Sequence, residues 1–85
     1  MKTRKQDYGT ANIVGRNIEH LRKSRNIKQK DFVAMMQTAG CDINPTSYSK
    51  LEGQVRAAND KELYVIAKIL NTTIDSLFEN MQLLK

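Results

Sequence analysis

The sequence predicts an all-α protein, a compact bundle of five short helices, and three observations carry that expectation. Apolar residues recur at helical spacing in four stretches and again in a short fifth. Capping or stop residues flank these stretches, among them Asn44, Gly53, Asn59, Asn71 and Thr73. No stretch alternates apolar and polar residues between turn signals, so no sheet is expected.

Residues 1–11 are polar, carry Gly9 and show no period, which suits a mobile basic arm. From about residue 11, Ile13, Val14, Ile18 and Leu21 share a face, marking a first helix that ends near Ser24. Ile27 is the apolar residue of the connection and is expected to be buried beneath it. A second helix over residues 28–38 turns Phe32, Val33 and Met36 inward and leaves Gln29, Lys30 and Asp31 at its exposed start. Residues 39–43 form a turn.

The third helix, Pro45–Glu52, has the clearest punctuation. Asn44 can cap its first turn, Pro45 suits the first helical position because its missing N–H would be an orphan there, and Gly53 offers a left-handed stop. Tyr48 and Leu51 make one narrow apolar stripe, so Thr46, Ser47, Ser49 and Lys50 are available to meet something polar. After a polar loop over residues 54–59, Asn59 and Glu62 have capping-box spacing and open a fourth helix with Leu63, Ile66, Ala67 and Leu70 inward. Asn71 is a left-handed stop, and Thr73 caps a short fifth helix carrying Ile74, Leu77 and Phe78. Residues 80–85 form a tail.

The 85 residues allow one domain with a small core and no separate sensing or catalytic domain. Lys and Arg outnumber Asp and Glu 14 to 9, a balance that suits a nucleic-acid partner. Six basic residues (Arg16, Arg22, Lys23, Arg25, Lys28, Lys30) stand against Glu19 alone between positions 16 and 30. Such a cluster is either a nucleic-acid surface or an ordinary solvated face. Cys41 is the single cysteine, so no intramolecular disulfide is expected. It suits a small apolar group in the turn better than a redox sensor. His20 falls on a surface position. No Cys/His grouping has metal-ligand spacing, no nucleophile–base pairing or Gly-rich phosphate cradle is evident, and no apolar run suits a signal core or a membrane span. A reduced, cytoplasmic, non-enzymatic protein with no metal, cofactor, small-molecule ligand or membrane partner is therefore expected.

Several segments in order carry a family resemblance: Val14-Gly15-Arg16-Asn17-Ile18, Leu21-Arg22, Gln29-Lys30-Asp31-Phe32, Ser47-Tyr48-Ser49-Lys50-Leu51-Glu52-Gly53, Ile66-Ala67-Lys68-Ile69-Leu70 and Ile74-Asp75-Ser76-Leu77. Across residues 13–78 the chain resembles the Xre family of phage-repressor-like helix-turn-helix regulators. That resemblance implies a five-helix bundle of the lambda-repressor-like DNA-binding type, with a helix-turn-helix domain over residues 12–79. Two departures stand out. Gly40-Cys41-Asp42-Ile43 makes the connection before the third helix longer than the usual turn, and Lys28 stands where the family places a Thr or Ser cap, so that helix start is expected to be less stable.

The resemblance implies that the third helix enters the major groove and offers Pro45, Thr46, Ser49 and Lys50 to base edges. Lys50 can donate to guanine O6 or N7, Thr46 can bond a base or touch a thymine methyl, and Ser49 can donate or accept. The plainer alternative for Lys50 is a phosphate partner or a solvated charge. By the same resemblance Gln29 and nearby backbone N–H groups grip a phosphate, and Gln54 and Arg56 hold the backbone across the groove. Lys28 and Lys30 would add charge beside Gln29. Arg22 and Glu52 are implied to form a structural ion pair tying the first helix to the end of the third. Tyr48 suits the core better than a base-stacking platform.

The function expected is sequence-specific recognition of double-stranded DNA by a transcription regulator, a repressor that occupies an operator as a homodimer. Leu77, Phe78, Met81, Leu83 and Leu84 either form the dimer interface or pack as a tail on the core. The alternative function is a protein-interaction module, antitoxin-like or an anti-regulator, that keeps the fold. Structured-RNA binding shares the charge but lacks aromatic platforms.

Overall fold

The computed structural model describes residues 8–79, in which regular structure comprises α1 (Gly15–Ser24), α2 (Gln29–Thr38), α3 (Pro45–Glu52), α4 (Asp60–Ile69) and a 3-10 turn (Asp75–Phe78). Among the described residues there is no strand, as the missing alternation predicts. The expected fifth α-helix is corrected to that four-residue turn. Thr73 Oγ1 does accept from the Ser76 N–H at 3.1 Å, but Glu79 is already extended (ψ 146°), so the turn is not prolonged.

Helix starts follow the acceptors nearby. Asn44 Oδ1 accepts from the Ser47 N–H at 2.8 Å with Pro45 behind it, and Asn59 and Glu62 complete a reciprocal capping box. Lys28 makes no side-chain cap, as its chemistry requires. The first helix starts at Gly15 instead of near residue 11, because Asn12 Oδ1 accepts from Val14 N at 3.1 Å and Gly15 N at 2.8 Å.

All four helices end in the same motif. The N–H groups of two successive residues fold back onto the last turn, with the first of the pair left-handed: Asn26, Gly40, Gln54 and Asn71, at φ 58°, 95°, 62° and 55°. Asn71 is thus the stop its position suggests. Gly53 is not: its φ is −77° and it continues the helical turn, while Gln54 takes the left-handed position. The strain of a non-glycine residue there is offset locally, since Gln54 Nε2 donates to Asn12 O at 2.6 Å and Gln54 O accepts from Ala11 N at 2.8 Å.

The core gathers Val14, Ile18, Phe32, Val33, Met36, Ile43, Tyr48, Leu51, Ile66, Ala67, Leu70 and Leu77. Ile13, Leu21, Ile27, Cys41 and Leu63 are only partly buried around it. Helix α3 lies between α1 and α2, α2 also meets α4, and the 3-10 turn packs on α1. Ile43 is buried and its carbonyl accepts from Gln37 Nε2 at 2.7 Å, so the long connection before α3 is tied to the core at its end.

The described part of the expected arm, residues 8–11, is fastened down. Gly9 N donates to Gly53 O and Ala11 N to Gln54 O, both at 2.8 Å. Tyr8 OH donates to Glu19, and the Arg16 guanidinium lies 4.3 Å from the Tyr8 ring centroid. Gly9 is needed for this approach, since a Cβ there would sit 2.4 Å from Gln54 O. The rest of the arm, residues 1–7, and the tail with Met81, Leu83 and Leu84 lie outside the described residues.

Candidate nucleic-acid interface

A helix can present side chains only if its other face is held. On α3 that face is Tyr48, Leu51 and Glu52, none of which is exposed at all. A buried carboxylate is costly without partners. Glu52 receives donors from α1, α2 and α3: Arg22 Nε to Oε2 at 2.6 Å and Arg22 Nη2 to Oε1 at 3.1 Å, Gln29 Nε2 to Oε1 at 2.9 Å, and Tyr48 OH to Oε2 at 2.5 Å. The Arg22–Glu52 pair is therefore bidentate, the strongest geometry for these groups. Arg22 Nη1 continues to Ile27 O at 2.6 Å, which fixes the connection between α1 and α2.

The charges respond accordingly. Burial works against the Arg22 guanidinium, but its bonds to Glu52 outweigh that and raise its pKa above the ordinary value. Burial first, and the Glu52 charge second, push the Tyr48 phenol far above its ordinary range, so Tyr48 remains a proton donor to Glu52. The Tyr48 ring stacks at a tilt against Phe32, centroids 5.3 Å apart, which makes it a core residue and no stacking platform.

With that face clasped, Pro45, Thr46 and Lys50 are exposed and Ser49 is half-buried beside them. The four residues expected to meet bases thus share one outward side of α3. Lys28 and Lys30, at the start of α2, are exposed as well.

The remaining expected phosphate contacts are engaged by the protein itself. Gln29 gives its amide to Glu52, and Gln54 gives its own to Asn12 O. Arg56 lies against α4: Nη1 to Glu62 Oε1 at 2.9 Å, Nη2 to Glu62 Oε2 at 2.5 Å, and Nη1 to Ala57 O at 2.6 Å. Glu62 holds the Arg56 pKa above its ordinary value, and Arg56 in turn draws the Glu62 carboxyl below its own. These three side chains are thus bonded within the protein, while Lys28, Lys30 and Lys50 are exposed.

Much of the basic cluster over residues 16–30 is likewise structural. Arg22 is in the clasp, Lys23 Nζ is 3.4 Å from Glu19, and Arg25 Nε donates to Leu70 O at 3.0 Å, holding the end of α4. His20 is exposed. Cys41 is half-buried rather than a full core group, and burial first, then the Glu62 charge, raises its thiol pKa, which disfavours the reactive thiolate.

Sequence reasoning missed one residue that organises this surface. Asn12 Oδ1 accepts from Val14 N and Gly15 N at the entry to α1, while its Nδ2 donates to Leu51 O at 2.9 Å and to Arg56 O at 2.8 Å. One side chain thus joins the start of α1, the end of α3 and the loop after it. The available signal was an Asn just ahead of α1, since Asn side chains readily bond backbone N–H groups two and three residues on. Among the described residues no group of His, Cys, Asp and Glu could hold a metal ion, and no helix is long and apolar enough to cross a membrane. No protein-family model matches the chain, and a search of curated proteins finds no match.

Proposed function

We propose that this protein is a sequence-specific double-stranded DNA-binding transcription regulator of the lambda-repressor-like helix-turn-helix type. On this reading α3 lies in the major groove, with Thr46, Ser49 and Lys50 addressing base edges and Pro45 offering apolar contact. Lys28, Lys30 and the α2 N-terminus meet phosphates, and Gln29, Gln54 and Arg56 act first as supports that fix the surface those groups share. The observation that carries this reading is the clasp on Glu52, which holds α3 by its inner face from α1 and α2 while its opposite side remains exposed and polar.

One module of this size makes few base contacts, so tight specific binding calls for a two-fold dimer on half-sites about one helical turn apart. Occupancy of such a site excludes polymerase and makes the protein a repressor. Selection from a random duplex pool at low ionic strength tests the reading: an enriched inverted repeat supports it, and no enrichment overturns it. Salt titration separates it from a protein-interaction module. Phosphate contacts make log K fall linearly with log salt, whereas an apolar protein interface responds weakly.

A further inference from the structure

Among the described residues, five hydrogen bonds cross between residues 9–12 and the end of α3 with the loop after it. Gly9 N donates to Gly53 O and Ala11 N to Gln54 O, Asn12 Nδ2 donates to Leu51 O and Arg56 O, and Gln54 Nε2 returns a bond to Asn12 O. Carbonyls at a helix end lack partners within the helix, so donors brought from elsewhere fix where that end lies. The segment is itself pinned to α1, since Tyr8 OH donates to Glu19 and the Arg16 guanidinium covers the Tyr8 ring. At Gly9 the approach leaves no room for a side chain, because a Cβ there would lie 2.4 Å from Gln54 O.

We infer that residues 8–12 are a strap that sets the tilt of α3, which makes Gly9 and Asn12 positioning residues for base recognition; the inference rests on the function proposed above. Helix α3 has only eight residues, too few to stand alone, so its direction comes from what holds it. The Arg22–Glu52 pair ties it to α1 through one side chain, and a helix tied at one place can pivot there. The strap ties the same two helices again, through main-chain atoms from Leu51 onward, and removes the pivot. From Gly53 back to Thr46 is about 10 Å along the axis, so a swing of about 6° carries Thr46 by roughly 1 Å. That displacement spoils a hydrogen bond to a base edge, whereas a flexible lysine follows a phosphate through it. Loss of the strap therefore costs discrimination between sequences more than it costs attraction to DNA.

The test compares the parent chain with Gly9→Ala and Asn12→Asp, each titrated with the selected duplex and with that duplex altered at a single base pair. Gly9→Ala drives the strap off Gln54 without changing charge. Asn12→Asp keeps an acceptor for the Val14 and Gly15 N–H groups but turns an acceptor toward Leu51 O and Arg56 O. The ratio of affinities for the two duplexes should fall about five-fold or more in both variants, with the salt slope of Gly9→Ala unchanged. In the free proteins the Ala11 amide, bonded to Gln54 O in the parent, should exchange its hydrogen faster in both variants. Simple destabilisation weakens both duplexes alike and leaves the ratio where it was, and that result overturns the proposal. So does an Ala11 amide that exchanges no faster. A parent that discriminates beside variants that discriminate equally well sinks the strap alone, whereas a parent that enriches no duplex sinks the proposed function and the strap's role with it.

Discussion

Tyr48 and Glu52, one turn apart on α3 and both wholly shielded from solvent, share a hydrogen bond of 2.5 Å from the phenol to the carboxylate. Removing the hydroxyl leaves a buried acceptor atom short of a donor, which costs about 1–3 kcal/mol. Tyr48→Phe keeps the ring against Phe32 and so isolates that cost. Thermal melting should show a fall of several degrees with helix content retained. An unchanged midpoint would mean that the other donors to Glu52 suffice.

Arg22→Ala removes more, because it strips a bidentate charge partner from the same carboxylate and also releases Ile27 O. A buried charge left without its partner costs roughly 3–5 kcal/mol, a large share of the stability of a domain this size. Urea unfolding should register that loss, and any duplex binding should fall with it. A melting temperature equal to that of the parent would refute the structural role of the pair.

Gly15→Ala tests the contact between α1 and α3 directly. A Cβ there would lie 2.3 Å from Leu51 O and 2.6 Å from Glu52 O, and both are backbone atoms that cannot rotate aside. Helix propensity alone would favour Ala by nearly 1 kcal/mol. The clash wins, because separating the helices disturbs the clasp on Glu52, and a loss of about 1–3 kcal/mol or more is expected in chemical unfolding. A stabilised variant would show that the two helices can part without penalty.

What the sequence showed in advance was what local chemistry decides. Pro45–Glu52 has the predicted bounds because Asn44 and Pro45 act within one turn, and the Asn59–Glu62 box formed for the same reason. The inward residues Phe32, Val33, Met36, Tyr48 and Leu51 followed from the helical period. The left-handed stop after α3 was misplaced by one residue because glycine preference is a local rule. Gln54 takes that position through its bonds to Asn12 and Ala11, more than 40 residues away. The support that Arg56 receives was hidden for a similar reason. Its charge is visible in the sequence, but its pairing with Glu62 across the loop is visible only once α4 is in place. The outward side of α3 was legible, whereas the supports beneath it depend on tertiary contacts.

The Arg56–Glu62 pair should be seen in the pH dependence of stability. The folded-state pKa of Glu62 is depressed below its ordinary value of 4.5, chiefly by Arg56, with burial opposing and the Asn59 N–H assisting. Its contribution is therefore fully present above pH 4.5 and is lost as pH falls from there through the lower folded value. Glu62→Gln should be less stable than the parent at neutral pH by roughly 1 kcal/mol, and the gap should close in acid. A gap that is constant down to pH 2.5 would show that the charge on Glu62 is not what matters.

Lys50→Ala and Arg56→Ala together separate reading from support under the proposed function. Lys50 is exposed on the outward side of α3, and its truncation should leave the melting temperature within about 1 °C while weakening a selected duplex by roughly 1–3 kcal/mol if the lysine addresses a base. If Lys50 meets a phosphate instead, the loss should be uniform across sequences and the salt slope should flatten by about 1. Arg56, held to Glu62 and Ala57, should lose stability and affinity together, with little change in the slope. Fluorescence anisotropy at several salt concentrations, paired with melting curves, resolves these cases. If Arg56→Ala kept its stability and flattened the slope by the same unit, Arg56 would leave Glu62 for DNA, and the division between supports and contacts on this surface would have to be redrawn.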